Sequence, residues 1–128
     1  MSRKLDDLDE GFKPQAIELL ARLAEAEIPC FIVDTLRTKA EQEAYLASGA
    51  SQTIRSKHLK GMAIDVCPYE MFQIHGPDKL LWDADNPANL AIWTRIGEIG
   101  EGLGLRWGGR WKSLRDYGHF ELPSLYPK

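Results

Sequence analysis

Ser56-Lys57-His58-Leu59-Lys60-Gly61-Met62-Ala63-Ile64-Asp65 is the stretch that decides how this chain folds and what it does. It carries a histidine into a run that alternates like a strand. Over 62–67, Met62, Ile64 and Val66 fall on one face, and Ala63 and Asp65 share the other. A small side chain beside a carboxylate leaves room for an ion. A second segment, Asp116-Tyr117-Gly118-His119-Phe120-Glu121, supplies another histidine. His58, Asp65 and His119 can close three positions of a zinc tetrahedron and leave the fourth for water. Asp116 is then spare, a candidate base for that water.

This combination implies metal-assisted hydrolysis. A divalent ion with one carboxylate ligand keeps net positive charge, which acidifies water and polarises a carbonyl oxygen. A carboxylate outside the ligand set can accept the proton and return it to a leaving amine. In a straight strand Asp116 and His119 would face opposite ways, so a bend at Tyr117-Gly118 is expected, with Gly118 supplying backbone freedom. Each residue has an ordinary alternative: a packed histidine, a strand-end cap at Asp65, a turn residue at Asp116. Glu121 shares a face with His119 and rivals Asp116 as base; otherwise it orients a ligand ring or is a solvated edge charge. His75, in the loop Gln73-Ile74-His75-Gly76-Pro77, is read as ordinary.

Working outward, residues 14–27 read as an amphipathic helix with Ile17, Leu20 and Leu23 at helical spacing and Pro14 in the first turn. Leu5, Leu8 and Phe12 suggest a short helix or turn before it. Residues 30–35 read as a strand, and 39–48 as a helix ended by Gly49. Residues 68–87, rich in Pro, Asp and Asn, read as a loop. Residues 88–102 form a further helix with Leu90, Trp93, Ile96 and Ile99 as its stripe, ended by Gly102 and Gly104. Short strands follow at 105–107 and 119–122. Short strands mixed with helices, without regular βαβ alternation, predict an α+β domain.

The chain has 128 residues, 44% hydrophobic and 27% charged, which fits one globular domain. No apolar run approaches a membrane span. The formal net charge of −3 and the lack of a basic stripe argue against nucleic acid. Arg106, Arg110, Lys112 and Arg115 make 101–115 locally basic, either a solvated face or a contact to an anionic wall polymer. Met1-Ser2-Arg3-Lys4-Leu5-Asp6-Asp7 turns acidic where a signal peptide would turn apolar. Cys30 and Cys67 sit in apolar surroundings and read as buried thiols.

The two segments resemble the zinc peptidases of the D-alanyl-D-alanine carboxypeptidase and L-alanyl-D-glutamate endopeptidase family, which shares its core with hedgehog-type domains. Ser56, His58, Gly61, Ala63 and Asp65 match the pattern S-x-H-x-x-G-x-A-x-D; Asp116, His119, Phe120 and Glu121 match D-x-x-H-F-E. Arg37-Thr38-Lys39-Ala40-Glu41-Gln42 resembles an R-S/T-x-x-E-Q element, and Leu105-Arg106-Trp107-Gly108-Gly109-Arg110-Trp111 resembles a Gly-rich strand before the last ligand.

The resemblance implies a small antiparallel sheet flanked by helices, and one zinc ion held by His58, Asp65 and His119, with Asp116 as general acid/base. It implies that Arg37 contacts the scissile carbonyl or a nearby substrate carboxylate; the alternative is a surface ion pair with Glu41 or Glu43. Ser56 would lie at the cleft rim, or be a plain turn residue. Many carboxypeptidase and dipeptidase members carry Glu where Asp116 stands, whereas members resembling phage endolysins carry Asp. The expected activity is therefore a peptidoglycan endopeptidase that cuts the L-alanyl-D-glutamate bond of the stem peptide. The alternatives are a D-alanyl-D-alanine carboxypeptidase or dipeptidase, and a zinc-stabilised wall-binding module without catalysis. Residues 1–128 are expected to form a single catalytic domain with no separate wall-binding domain, acting as a monomer. Synthesis in the cytoplasm without a signal peptide, and release to the wall through a holin-type pore, complete the expectation.

Overall fold

The computed structural model describes residues 2–49, 57–70, 79–112 and 115–123. After a 3-10 turn at Leu5–Asp7 come α1 (Lys13–Glu25), β1 (Cys30–Asp34) and α2 (Lys39–Ala47). A 3-10 turn at Lys57–Lys60 leads into β2 (Ala63–Glu70), β3 (Lys79–Leu80) and α3 (Pro87–Gly102). The chain closes with β4 (Arg106–Trp107), a 3-10 turn at Gly108–Arg110, and β5 (His119–Glu121). All strand pairs are antiparallel, in the order β1-β2-β5-β4, with β3 added to the far end of β2. The architecture is α+β, with a small antiparallel sheet flanked by helices.

Local chemistry accounts for the helix ends. Thr38 and Glu41 form a reciprocal capping box at the start of α2, and Gly49, at φ 80°, lies just beyond its end. Asn86 accepts from the N–H groups of Ala88 and Asn89 at the start of α3, with Pro87 in the first turn.

The buried stripe of α1 keeps Leu23 from the expected one, with Leu20 partly buried beside it, and departs at Ile17. Phe12, Ala16, Leu19 and Leu23 face the core, whereas Ile17 is 46% exposed. Ile17 follows Ala16 by one position, about 100° further round the helix, and so points outward. In α3 the stripe is Trp93, Ile96, Gly97 and Gly100, and Leu90 is 38% exposed. A Cβ on Gly97 would stand 2.3 Å from the Trp107 ring, and one on Gly100 would stand 2.3 Å from the Phe120 ring. These glycines let β4 and β5 lie directly on the helix. The presumed loop 68–87 also holds order: β2 runs on to Glu70, and β3 pairs with it at Tyr69 and Glu70.

Register sorts the sheet into two faces. Ile32 opposes Val66, and Phe120 opposes both Ile64 and Trp107; these side chains join the hydrophobic core with α1 and α3. A bulge between Ile32 and Asp34 brings Asp34 opposite Asp65. His119 also opposes Asp65, and Glu121 opposes Ala63. Polar residues of β1, β2 and β5 therefore converge on one face. Both cysteines are free thiols; Cys67 is buried, while Cys30 is only partly so. Burial pushes the Cys67 thiol up to about 11 and the Cys30 thiol up to about 12.

Candidate metal centre

His58 enters from the 3-10 turn that precedes β2. Its carbonyl accepts from Arg37 N–H at 3.0 Å, and Met62 N–H donates to Lys57 O at 3.0 Å. Gly61 closes the turn at φ +65°, and a Cβ there would stand 2.8 Å from Asp9 N. The glycine of the first motif is thus required twice, by its left-handed backbone and by the N-terminal segment packed on it.

The ring of His58 donates from Nδ1 to Thr35 O at 2.8 Å, which turns Nε2 toward Asp65 Oδ1 at 3.0 Å. The ring of His119 is held the other way round. Its Nε2 donates to Glu121 Oε1 at 2.8 Å, and Nδ1 faces the same Asp65 Oδ1 at 2.9 Å. Both histidines are almost fully buried. Their rings stand edge to face at 5.0 Å, and Trp111 covers His119 at 5.0 Å.

Donor atoms of His58, Asp65 and His119 all lie within 4.8 Å of one another. Zinc at roughly 2.0–2.2 Å from each of two tetrahedral donors sets them about 3.4 Å apart, so this spacing suits one ion. The hydrogen bonds at the far ring nitrogens suit it too. When the rings are neutral, an acceptor on Nδ1 of His58 and on Nε2 of His119 selects the tautomer whose inward nitrogen carries the lone pair.

The electrostatics call for positive charge. Burial pulls the His119 imidazole down, but its bonds to Asp65 and Glu121 outweigh that and push it up to about 10. Burial raises Asp65, yet the two histidines hold it well below the usual carboxylate range. Glu121 is likewise held low by His119 and Lys57 against the effect of burial. Lys57 Nζ stands 3.3 Å from Glu121 Oε2 and also donates to Leu122 O.

Asp116 stands outside the donor group. Burial and the nearby charge of Asp65 push its carboxyl up to about 6. A tight turn sets it there: His119 N–H donates to Asp116 O at 3.2 Å, and Asp116 N–H to Gly108 O at 3.1 Å. Trp107 Nε1 pins the turn at Tyr117 O, at 2.7 Å. Gly118 serves this turn differently from the expectation. It is absent from the glycines of positive φ; instead a Cβ there would meet Val66 O at 2.3 Å. Close approach to β2, and not backbone freedom, is what requires glycine.

Arg37 does not form a surface ion pair with Glu41 or Glu43. It lies inside the site, bound to Asp34 and Gln42, with Nη2 at 3.7 Å from Asp65 Oδ2. Burial pushes the Asp34 carboxyl up, against the pull of Arg37. Asp34 was missed in the sequence, where only its spacing to Arg37 could have flagged it; Gln42 entered as part of the R-S/T-x-x-E-Q element, without a role of its own. Glu121 sits where an orienting partner is expected. Ser56 and His75 lie outside the described residues. In the basic stretch, Arg110 pairs with Glu101 at 3.0 Å and Arg106 reaches Glu121 at 4.0 Å, so much of that charge is locally answered.

Residues 49–122 match the model of a peptidase family described as D-alanyl-D-alanine carboxypeptidase. The chain belongs to that family. It is 32% identical to the L-alanyl-D-glutamate peptidase of Listeria phage A118, over 92% of this chain and 39% of that protein. It is 30% identical to the peptidoglycan L-alanyl-D-glutamate endopeptidase CwlK of Bacillus subtilis, over 91% of this chain and 74% of that protein. The L-alanyl-D-glutamate peptidase of Escherichia phage T5 is 34% identical, over 86% of this chain and 79% of its own length. The crystal structure of the L-Ala D-Glu endopeptidase ChiX of Serratia marcescens superposes with a TM-score of 0.65 at 30% identity, covering 93% of this chain and 83% of that one. The chain thus spans well under half of the A118 protein but most of the other relatives.

Proposed function

We propose that this chain is a zinc-dependent peptidoglycan endopeptidase that hydrolyses the L-alanyl-D-glutamate bond of the stem peptide. The observation that carries the reading is the convergence of His58, Asp65 and His119, with Asp116 beside them and outside the donor group. Relatives named for that bond, from two phages and two bacteria, support the choice of substrate.

In this reading His58, Asp65 and His119 would hold the ion through the donor atoms they turn toward one another. When bound, zinc supplies positive charge that polarises a peptide carbonyl and acidifies water. Asp116 takes the proton from the attacking water and delivers it to the departing D-glutamate nitrogen. A carboxyl raised to about 6 is ionised at neutral pH yet basic enough to return the proton. Thr35 O and Glu121 keep the two rings in their working tautomers. Arg37 offers its remaining N–H groups to the scissile carbonyl or to a substrate carboxylate. Residues 1–128 act as one catalytic domain and as a monomer. Its place of action is the wall, reached after cytoplasmic synthesis by holin-type release.

The family description favours a second reading, removal of terminal D-alanine. Digestion of purified muropeptides followed by mass spectrometry decides between them. Stem peptides beginning at D-glutamate are expected; release of D-alanine alone overturns the first reading. Chelation should abolish lysis and zinc should restore it. Lysis that survives chelation would overturn the metal mechanism.

A further inference from the structure

Arg37 is held on several sides. Its Nε and Nη2 donate to Asp34 Oδ2 at 3.0 and 2.6 Å, and Nη1 donates to Gln42 Oε1 at 2.6 Å. The Tyr45 ring lies 4.3 Å from the guanidinium carbon. Two carboxylates compete for this one cation. Asp34 and Asp65 are register partners, and Nη2 stands 2.6 Å from Asp34 but 3.7 Å from Asp65 Oδ2.

Asp34 gains little by being there. It is 1% exposed, and its Oδ1 has no hydrogen-bond partner among the described residues. A buried acceptor left unmade is unfavourable, more so when charged, so packing alone would favour an apolar residue. What Asp34 does accomplish is geometric. By taking two N–H groups of Arg37 it draws the guanidinium off Asp65, whose Oδ1 then serves both histidine rings.

We propose that Asp34 is a positioning residue: it holds Arg37 beside Asp65 but off it, so that Asp65 keeps its charge for a cation shared with His58 and His119. The proposal rests on the metal-centre reading and not on the identity of the peptide substrate. Without Asp34, a shift of about an ångström brings Arg37 onto Asp65, where it competes with the ion for the same carboxylate.

The test is a double-mutant cycle read as zinc affinity, by competition against a chromogenic chelator with zinc alone as ligand. Asp34→Asn should bind zinc about tenfold more weakly than wild type, the usual scale for a partner of a ligand. Arg37→Ala should bind no more weakly than wild type. In the Arg37→Ala background, adding Asp34→Asn should change affinity by no more than about twofold. Wild-type affinity in Asp34→Asn, or the same tenfold loss with Arg37 gone, overturns the proposal. Near-UV circular dichroism checks the fold, and Asp34→Ser runs the same cycle if the asparagine variant does not fold. A wild-type chain that binds zinc but leaves muropeptides intact sinks the substrate reading only, and the cycle still decides Asp34. A wild-type chain that binds no zinc sinks the metal centre, and this proposal with it.

Discussion

His58 and His119 meet at one carboxylate oxygen, but the regions that bring them there are built differently. The first region fixes its histidine with backbone: the Thr35 carbonyl holds Nδ1, and Arg37 N–H and the Gly61 turn hold the main chain. The second fixes its histidine with side chains: Glu121 on Nε2, Lys57 behind Glu121, and Trp111 over the ring. A neutral carbonyl orients without adding charge. A carboxylate orients and also raises the basicity of the ring. The difference teaches that the first region is a rigid anchor, whereas the second carries the groups whose substitution tunes the site. Asp116 belongs to this second region.

The largest expected effect comes from Asp116→Asn. Turnover on muropeptides should fall by about 10²–10⁴-fold, the range for loss of a general acid/base, while zinc content persists. In the metal-free chain this carboxyl takes up its proton as pH falls through about 6, and stability follows it. A carboxyl raised from 3.8 to about 6 by folding binds more protons folded than unfolded across that window. Stability is therefore lost as pH rises through it. Removing the charge should stabilise the metal-free chain at pH 7 by up to about 3 kcal/mol, measured by denaturant unfolding. Equal stability of the two proteins would contradict the burial of Asp116.

Next in size is Gly118→Ala. With Val66 O at 2.3 Å from the added carbon, β5 must move off β2, at a cost of about 1–3 kcal/mol. Tm should fall and zinc should bind more weakly. Unchanged values would show that the second region yields more easily than its packing suggests. Glu121→Gln keeps the shape but removes the charge behind His119, and zinc affinity should drop by about tenfold. The smallest effect is expected on the anchor. Thr35→Val leaves the Thr35 carbonyl in place and removes a buried hydroxyl that has no partner among the described residues. Zinc affinity should hold within about twofold, and stability should not fall. A loss as large as that of Glu121→Gln would erase the distinction between the two regions.

Much of this was legible in the sequence because metal chemistry uses few residue types. His58, Asp65, His119 and Asp116 stand out by kind and order, and strand alternation alone puts Asp65 beside Ala63. Helices α1, α2 and α3 follow from period and caps. What stayed hidden depends on contacts between distant segments. Ile17 and Leu20 keep as good a period as Ala16 and Leu19, and only packing chooses between them. Strand β3 rests on two residues paired with β2, too short to carry a pattern. Gly97 and Gly100 look like weak helix residues until Trp107 and Phe120 are set against them. The hold of Asp34 on Arg37 is visible only once the bulge in β1 has brought Asp34 opposite Asp65.

The two thiols carry a practical consequence. With Cys67 at about 11 and Cys30 at about 12, less than about one molecule in a thousand holds a thiolate near neutral pH. Alkylating reagents and peroxide should therefore react slowly with both thiols near neutral pH. Purification should then need little dithiothreitol or mercaptoethanol, reagents that would themselves bind the metal on which lysis is proposed to depend.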